Sequence, residues 1–325
     1  MMGDINDIAC SSPELSAKRL GRRKRSRFQL KDNIELFILT LPALIVVFIW
    51  QYLPMGGAII AFKQYNYVDG IFGSPWAGLG NFEFFFKSQD LWRLIRNTVS
   101  YSVAFIVTDI VVAVIVALLM YELRNRALIK FYQTAYILPR FLSWVIVGYI
   151  SYIFLNPIYG YFNQALEALG MNSVDWYSQL AYWPPFLILI NIWKHVGMNA
   201  IIYYSFLMNV NRELYDAAMI DGARRMQQAR YISLPSLAPL ISILAIMAMG
   251  RVFRGDFGLF YQIPRNVGVL YPVTDVIDTY VYRGLKDGNF AITAAVGLFQ
   301  SVVGFILVLG SNFAVRKIDP EKSMF

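Results

Sequence analysis

The composition of this 325-residue chain is typical of a membrane protein. Hydrophobic residues make up 57% and charged residues only 15%, and the mean hydropathy is +0.48; an ordinary soluble domain is about a quarter charged. A soluble enzyme, a secreted disulfide scaffold and a disordered protein therefore fit poorly. With one cysteine, Cys10, and one histidine, His195, the chain has no internal disulfide, and we expect no metal or haem site.

The net charge of +8 is concentrated at the N-terminus. Residues 1–32 carry eight Lys or Arg and four Asp or Glu, so about a tenth of the chain supplies half of the net charge. The basic run at residues 18–27 lies just before the first apolar segment, where the positive-inside rule places it. A nucleic-acid site would instead need aromatic residues among the basic ones on a folded face. We expect residues 1–33 to form a basic, partly disordered cytoplasmic tail and no nucleic acid to bind.

Six apolar segments can each cross a bilayer, because about 20 helical residues at 1.5 Å each cover the ~30 Å hydrocarbon core. The fifth is the least certain in its bounds, since its clean apolar run, residues 237–250, must borrow turns on either side to reach about 20 residues. Alternating strands of about 10 residues, the signature of an outer-membrane barrel, are absent from the sequence. We predict an all-α integral membrane protein with a transmembrane domain over residues 34–318 and six spans at about 34–54, 99–121, 131–155, 184–208, 235–253 and 290–315.

Basic residues in the loops predict the orientation of the chain. The N-terminal tail and the segments 122–130, 209–236 and 316–325 carry 18 of the 29 Lys and Arg, whereas residues 156–183 carry none. The positive-inside rule places these basic segments in the cytoplasm. Both termini, including the C-terminal residues 319–325, are therefore expected to be cytoplasmic. The segments 55–95 and 254–289 are too long for hairpin turns, and we expect them to hold short helices at the outer interface.

The cytoplasmic loop between the fourth and fifth spans has the pattern of a short helix, a break and a second helix. Asn211 can cap the first helix, Gly222 suits a left-handed turn at its end, and Pro235 suits the start of the next helix. Four residues at helical spacing form a small-residue face that another surface could approach closely: Leu214, Ala217, Ala218 and Asp221.

The loop sequence DAAMIDGA at residues 216–223, followed by ISLP at 232–235, resembles the EAA loop of ATP-binding-cassette importer permeases, and more narrowly that of the sugar importers. The segment 73–82 resembles the same family, and 278–283 resembles its oligosaccharide and polysaccharide branch. The resemblance covers about residues 35–318. Asp216 stands where the family usually has Glu, and Ala229 where an aromatic residue is common.

The resemblance implies a transporter subunit rather than an enzyme. In this family a cytoplasmic ATPase dimer grips the loop helix, a solute-binding protein delivers the sugar, and a second permease, which we expect to be a different chain, completes the assembly. No phosphate-binding G-x-x-x-x-G-K-[ST] motif occurs here, so ATP and Mg²⁺ belong to the partner and this chain has no cofactor. The residues expected to couple to the ATPase are Leu214, Asp216, Ala217, Ala218, Asp221, Gly222, Ala223, Leu234 and Pro235.

Polar residues inside the predicted spans mark a candidate translocation pathway. A charge near the bilayer centre costs roughly 2.5–3.5 kcal/mol, so such residues usually face a cavity or a partner helix. The candidates are Asp109, Tyr136, Arg140, Asn191, Lys194, His195, Asn199 and Tyr203. If they line a pathway, the surplus positive charge of Arg140 and Lys194 over Asp109 favours an acidic, alginate-like oligosaccharide. The alternative is structural ion pairing of Asp109 with Arg140 or Lys194.

The sequence therefore predicts the permease subunit of an ATP-driven oligosaccharide importer in the cytoplasmic membrane. An ion-coupled secondary transporter is the alternative, because it would explain the charged residues as a relay. It would not explain the loop at 211–235. An intramembrane enzyme would require paired carboxylates, a histidine cluster or a nucleophile at membrane depth, and the sequence has none.

Overall fold

A computed structural model describes residues 34–318, which divide between two compact units, residues 34–55 and 56–318. The predicted tail at 1–33 and the C-terminus at 319–325 lie outside the described residues. Within them the fold is all-helical and no strand forms, as predicted. The first unit holds α1 (Ile34–Val47) and a π-helical turn, Phe48–Tyr52.

The second unit alternates long apolar helices with short connecting ones. The long helices are α4 (Asp90–Tyr121), α8 (Trp183–Leu207), α11 (Leu234–Met249) and α15 (Phe290–Ile318). A broken pair consists of α5 (Arg126–Phe141) and α6 (Trp144–Leu155). The short helices are α2 (Gly70–Gly73), α3 (Gly80–Lys87), α7 (Tyr161–Ala168), α9 (Arg212–Ile220), α10 (Arg225–Gln228), α12 (Phe257–Gln262), α13 (Tyr271–Thr274) and α14 (Ile277–Lys286).

Five helical stretches among the described residues are long and apolar enough to cross a membrane: Phe37–Phe62, Asp90–Tyr121, Leu180–Leu207, Arg225–Met249 and Phe290–Phe313. The broken pair brings the number to six if it forms one span. The fifth stretch begins ten residues before its predicted start at 235, because α10 and a π-helical turn lead into α11 without a break.

The predicted third span, 131–155, is not one straight helix. Its two helices, α5 and α6, are bent by 97° at a short break after Phe141. Pro139 lies in the last turn of α5, and Ser143 caps α6 by accepting a hydrogen bond from the Ile146 amide at 3.3 Å. Proline near a helix end followed by a serine cap is a local signal for a break.

The core of the second unit lies where α8 packs against α4 and α11. Buried small and branched side chains fill this contact: Ala113, Val114, Ala117, Ala200, Leu207 and Leu237. On another side of α8, Gly197 faces the backbone of α5, where a Cβ atom would overlap the carbonyl group of Tyr136. The absence of a side chain at Gly197 therefore allows α5 to approach α8 closely.

The N-terminal half of α4 is tied to the segment that leads into α14. Asp275, whose side chain is fully buried, accepts hydrogen bonds from Arg283 Nη2 at 2.6 Å and Arg93 Nη2 at 3.2 Å. The Thr98 hydroxyl accepts a hydrogen bond from the Ile277 amide at 3.1 Å. These contacts explain why α4 begins nine residues before its predicted start at 99, although that extension is charged.

We expect Asp275→Asn to destabilise the protein, because it leaves the guanidinium of Arg283 beside a neutral group. Breaking a buried ion pair by removing one partner costs about 3 kcal/mol or more. Thermal unfolding of the purified protein measures the effect. The control is Glu83→Gln, which breaks the exposed pair with Lys87 and should change the free energy of unfolding by about 0.5 kcal/mol or less. Equal midpoints for the two variants would contradict this role for Asp275.

The predicted orientation can be tested by thiol labelling in a variant that lacks Cys10. The exposed side chains of Val68 and Met226 are 88% and 79% accessible. Since the first is predicted outside and the second in the cytoplasm, cysteines at these positions should react with an impermeant reagent from opposite sides of sealed vesicles. Labelling of both from one side would refute the predicted topology.

Candidate coupling helix and translocation cavity

The loop predicted to couple to the ATPase contains α9, and its caps follow the sequence pattern. The Asn211 Oδ1 atom accepts a hydrogen bond from the Glu213 amide at 3.1 Å. After the helix, Gly222 has a φ of +76°, which residues other than glycine rarely adopt. The Ala223 amide then donates to the Ala218 carbonyl at 2.9 Å, closing the C-terminal turn.

The helix α9 has two opposite faces, because successive residues rotate by about 100° around a helix axis. We call one the docking face; it consists of Leu214, Ala217, Ala218 and Asp221. We call the other the bundle face; it lines a cavity and consists of Arg212, Tyr215, Asp216 and Met219.

The bundle face holds α9 against the rest of the protein. The Tyr215 hydroxyl lies 2.9 Å from Ser233 Oγ, and its ring centroid lies 5.5 Å from that of Tyr121. On the docking face Leu214 is 52% exposed. Asp216, which the sequence grouped with the coupling residues, is exposed but belongs to the bundle face.

The remaining predicted coupling residues lie beside α9 or at the start of the next span. Ala223 is half-buried and lines the same cavity as the bundle face. Leu234 and Pro235 are the first two residues of α11. The proline is tolerated there because the first turn of a helix does not use its amide protons internally.

A second cavity, of about 630 Å³, lies between α4, α8, α11 and the start of α12. The structure brings six of the eight candidate pathway residues to its wall: Asp109, Arg140, Asn191, His195, Asn199 and Tyr203. Tyr136 and Lys194 do not line it. Three charged residues that were not among the predicted pathway residues also line it: Arg251, Arg254 and Asp256.

Asp109 is hydrogen-bonded to an amide in the cavity wall. Both of its carboxylate oxygens accept hydrogen bonds from Asn191 Nδ2, at 3.1 and 3.2 Å. In the part of the chain that the structure describes, neither Arg140 nor Lys194 forms an ion pair with it. The structure therefore does not contain the alternative ion pair of Asp109 with Arg140 or Lys194. His195 is held by a 3.0 Å hydrogen bond between its Nδ1 atom and the Asn191 carbonyl.

Lys194 lies at the break between α5 and α6 rather than in the pathway. Its side chain is 5% exposed. Its ammonium donates hydrogen bonds to the carbonyl groups of Leu142 and, at 3.4 Å, Pro139, and it lies 4.7 Å from the ring centroid of Trp144. A cation at the C-terminal carbonyls of a helix is favourable, as is one over an indole ring. Lys194 therefore stabilises the bend.

The break is also linked to the start of α12. The Trp144 indole donates a hydrogen bond to Asp256 Oδ2 at 3.0 Å. Asp256 in turn caps α12 by accepting from the Gly258 amide at 3.0 Å. Gly258 lies against the indole ring, which a Cβ atom would overlap. The bent span and α12 thus form one wall of the cavity.

The cavity carries more positive than negative side chains. Its basic residues are Arg140, Arg251 and Arg254, and its acidic residues are Asp109 and Asp256. None of the three arginines forms an ion pair with another described residue. Both carboxylates already accept hydrogen bonds from the protein. The arginines are therefore available to a solute, together with amide, hydroxyl and aromatic groups on the same wall.

Just outside this cavity, the carboxyl group of the half-buried Asp278 fixes the segment after Arg254. Asp278 Oδ2 accepts hydrogen bonds from the Gly255 amide at 2.7 Å and from Gln300 Nε2 at 3.2 Å. Burial raises the pKa of the Asp278 carboxyl, and these two hydrogen bonds oppose the rise. Asp278 therefore joins α14, α15 and the cavity-lining segment.

Comparison with known proteins identifies the family. Residues 109–320 match the family of binding-protein-dependent transport system inner membrane components. The chain is 34% identical over 293 residues to protein LplB of Bacillus subtilis (strain 168), covering 90% of this chain and 92% of that protein. It is also 34% identical over 301 residues to the polygalacturonan/rhamnogalacturonan transport system permease protein YteP of the same organism, covering 92% and 93%.

Solved structures show the same fold. A chain of a bacterial ABC transporter involved in the import of the acidic polysaccharide alginate superposes with a TM-score of 0.81 at 33% identity, covering 89% of this chain and 98% of that one. A chain of a bacterial alginate ABC transporter in complex with an alginate pentasaccharide-bound periplasmic protein gives 0.80 at 32% identity, covering 89% and 96%.

These matches confirm the resemblance carried by residues 216–223 and 232–235. Members of this family pair with a second permease, a separate ATPase and a solute-binding protein, and the permease itself is not an enzyme. The chain belongs to the binding-protein-dependent transport family and is an inner-membrane permease subunit of an ATP-binding-cassette importer.

Proposed function

We propose that the cavity between α4, α8 and α11 is this subunit's part of the pathway for an acidic oligosaccharide. The observation that carries the proposal is that three arginines, Arg140, Arg251 and Arg254, line one cavity and form no ion pair among residues 34–318. Their planar guanidinium groups match the geometry of a sugar carboxylate. The relatives named for polygalacturonan/rhamnogalacturonan and alginate transport support the same class of solute.

The state of the two cavity carboxylates strengthens the attraction for an anion. The Asn191 amide donates to Asp109, and the Trp144 indole and α12 amides donate to Asp256. These hydrogen bonds partly offset the negative charge that would repel a uronate. Because the effective dielectric constant is lower in a partly dehydrated cavity than in water, the surplus positive charge acts strongly on the solute. Asn199 can bond sugar hydroxyl groups, and the half-buried Phe257 ring can cover a sugar face.

The coupling proposal rests on the docking face of α9. A short helix whose exposed side carries Leu214 and Ala217 suits insertion into a groove on a partner. The bundle face, through Tyr215, would pass the partner's movement to α4 and to the start of α11. We expect the second permease to be a different chain, and the ATP and Mg²⁺ to be bound by the ATPase.

The geometry does not favour an ion-coupled secondary transporter. A charge relay would need Asp109, Arg140 and Lys194 to exchange protons or partners directly. Lys194 instead binds backbone carbonyls at the helix break, and Asp109 binds Asn191. Neither contact joins two titratable side chains.

We expect Arg251→Met to reduce uptake of a uronate oligosaccharide by about tenfold or more, because a charge-assisted hydrogen bond contributes about 1.5–3 kcal/mol. Uptake of a neutral oligosaccharide, if any is carried, should change much less. Transport into vesicles that contain the assembled importer measures both. The control is Arg230→Met, which removes a cation outside the cavity. Equal loss for acidic and neutral solutes with the complex intact would refute the assignment.

Lys194→Met should behave differently from Arg251→Met. Since Lys194 stabilises the break between α5 and α6, its loss leaves carbonyl groups of α5 without a donor. We expect a lower thermal midpoint and an equal fall in transport of every solute. If uptake of acidic solutes alone falls while the thermal midpoint is unchanged, Lys194 acts in the pathway instead.

Ala218→Arg and Gly222→Trp should weaken the hold on the ATPase while the permease still inserts. The first places a long charged side chain on the docking face, and the second forces a bulky residue into a left-handed conformation. Substrate-stimulated ATP hydrolysis should fall, and the ATPase subunits should co-purify poorly. Met226→Arg, at an exposed position outside α9, is the control. If the two variants hydrolyse ATP and transport solute at the rates of the unmutated importer, the docking face is wrongly assigned.

A further inference from the structure

A larger cavity, of about 1060 Å³, lies beneath the bundle face of α9. The end of α4, the first two turns of α5, the end of α8 and the segment around α10 form its other walls. The transport pathway proposed above does not use it, because the two cavities share no lining residue.

The cavity beneath α9 is strongly basic. Six cationic side chains line it: Arg124, Arg126, Lys130, Arg212, Arg224 and Arg225. Its carboxylates are Glu122 and Asp216, and Glu122 is paired with Arg225 at 3.0 Å. The other five cations have no carboxylate within ion-pair distance among residues 34–318. Five unpaired cations thus face one unpaired carboxylate, an imbalance that a bound anion would relieve.

The cavity lies at the depth of lipid headgroups. Two predicted spans, 99–121 and 184–208, end at its wall, at Tyr121 and Met208, and a third, 131–155, begins next to Lys130. Because spanning helices leave the hydrocarbon core at such points, the cations lie where one leaflet carries its phosphate groups. The Tyr121 and Tyr204 rings on the wall are typical of this interface.

Docking of the ATPase would not fill this cavity if α9 docks as proposed. The exposed residues of the docking face, Leu214, Ala217 and Asp221, lie on the side of the helix opposite the cavity. A groove that grips the docking face therefore leaves the cavity between α9 and the membrane.

We propose that this cavity binds a phosphate-bearing anion, with the headgroup of an anionic phospholipid as its source. Basic pockets between spans on the cytoplasmic side suit such headgroups, and guanidinium groups form paired hydrogen bonds with phosphate oxygens. Arg212 belongs to α9, whereas Arg126 and Lys130 belong to α5. A phosphate bound between them joins the coupling helix to the bent span, and its occupancy regulates how firmly α9 is held.

The test is native mass spectrometry of the complete importer released from membranes of defined lipid composition. We expect the unmutated complex to retain phosphatidylglycerol in preference to phosphatidylcholine. Arg126→Gln with Lys130→Gln should reduce that retention by about tenfold or more, since each basic group near the surface contributes to the attraction. Arg230→Gln, which removes a cation from the same loop outside the cavity, should retain phosphatidylglycerol like the unmutated complex.

Three further measurements decide the outcome. Arg126→Gln alone should show a smaller fall if the double variant does not assemble. Inorganic phosphate added to the lipid-depleted complex tests a soluble source; phosphate binding that the double variant loses would support the site and replace the lipid as its occupant. Equal phosphatidylglycerol retention in the double variant and in Arg230→Gln would overturn the proposal. So would loss of the ATPase subunits with unchanged lipid retention, which would make the cations a contact for the ATPase.

Discussion

The buried ammonium of Lys194 at the break between α5 and α6 is the interaction on which the pathway wall depends. A charge at membrane depth and the free carbonyls at a helix end are each costly when alone. Here each satisfies the other, and the Trp144 ring covers the ammonium. The bend that results brings Trp144 to Asp256 and leaves Arg140 at the cavity wall. A straight third span would place neither residue there.

Features set by neighbouring residues could be predicted from the sequence, whereas those set by distant contacts could not. Asn211 and Gly222 sit in caps whose geometry depends on a few residues, and both have the predicted conformations. The spans follow from apolar runs long enough to cross the bilayer. Lys194 shares its helical stripe with cavity residues such as Asn191, and only its contact with a distant helix end assigns it a different role. The extension of α4 to Asp90 likewise depends on Asp275, far along the chain.

The net charge of the cavity comes from a set of residues that differs from the one expected in the pathway. From the sequence, Arg140 and Lys194 against Asp109 predicted a surplus of one positive charge in the pathway. In the structure Lys194 does not line the cavity, because backbone carbonyls bind its ammonium. Arg251, Arg254 and Asp256 do line it, so the cavity wall again has one more positive than negative side chain. Arg254 and Asp256 were missed because they lie in the segment 254–289, expected at the outer interface, and Arg251 because it follows the apolar run at the very end of the predicted fifth span. A charged cluster immediately after a span is the signal that could have found them.

The two faces of α9 explain how so short a helix can contact the helical bundle on one side and leave the other side free for the proposed ATPase contact. Helical geometry places Ala217 and Asp221 of the docking face opposite Arg212, so the proposed ATPase contact and the bundle need not compete for the same side chains. The hydrogen bond between Tyr215 and Ser233 links α9 to the helical course that becomes the fifth span. That course reaches the cavity wall at Leu244, Met247 and Ala248. In the proposed coupling, a displacement of α9 would therefore reach the cavity through the continuous helical stretch from Arg225 to Met249.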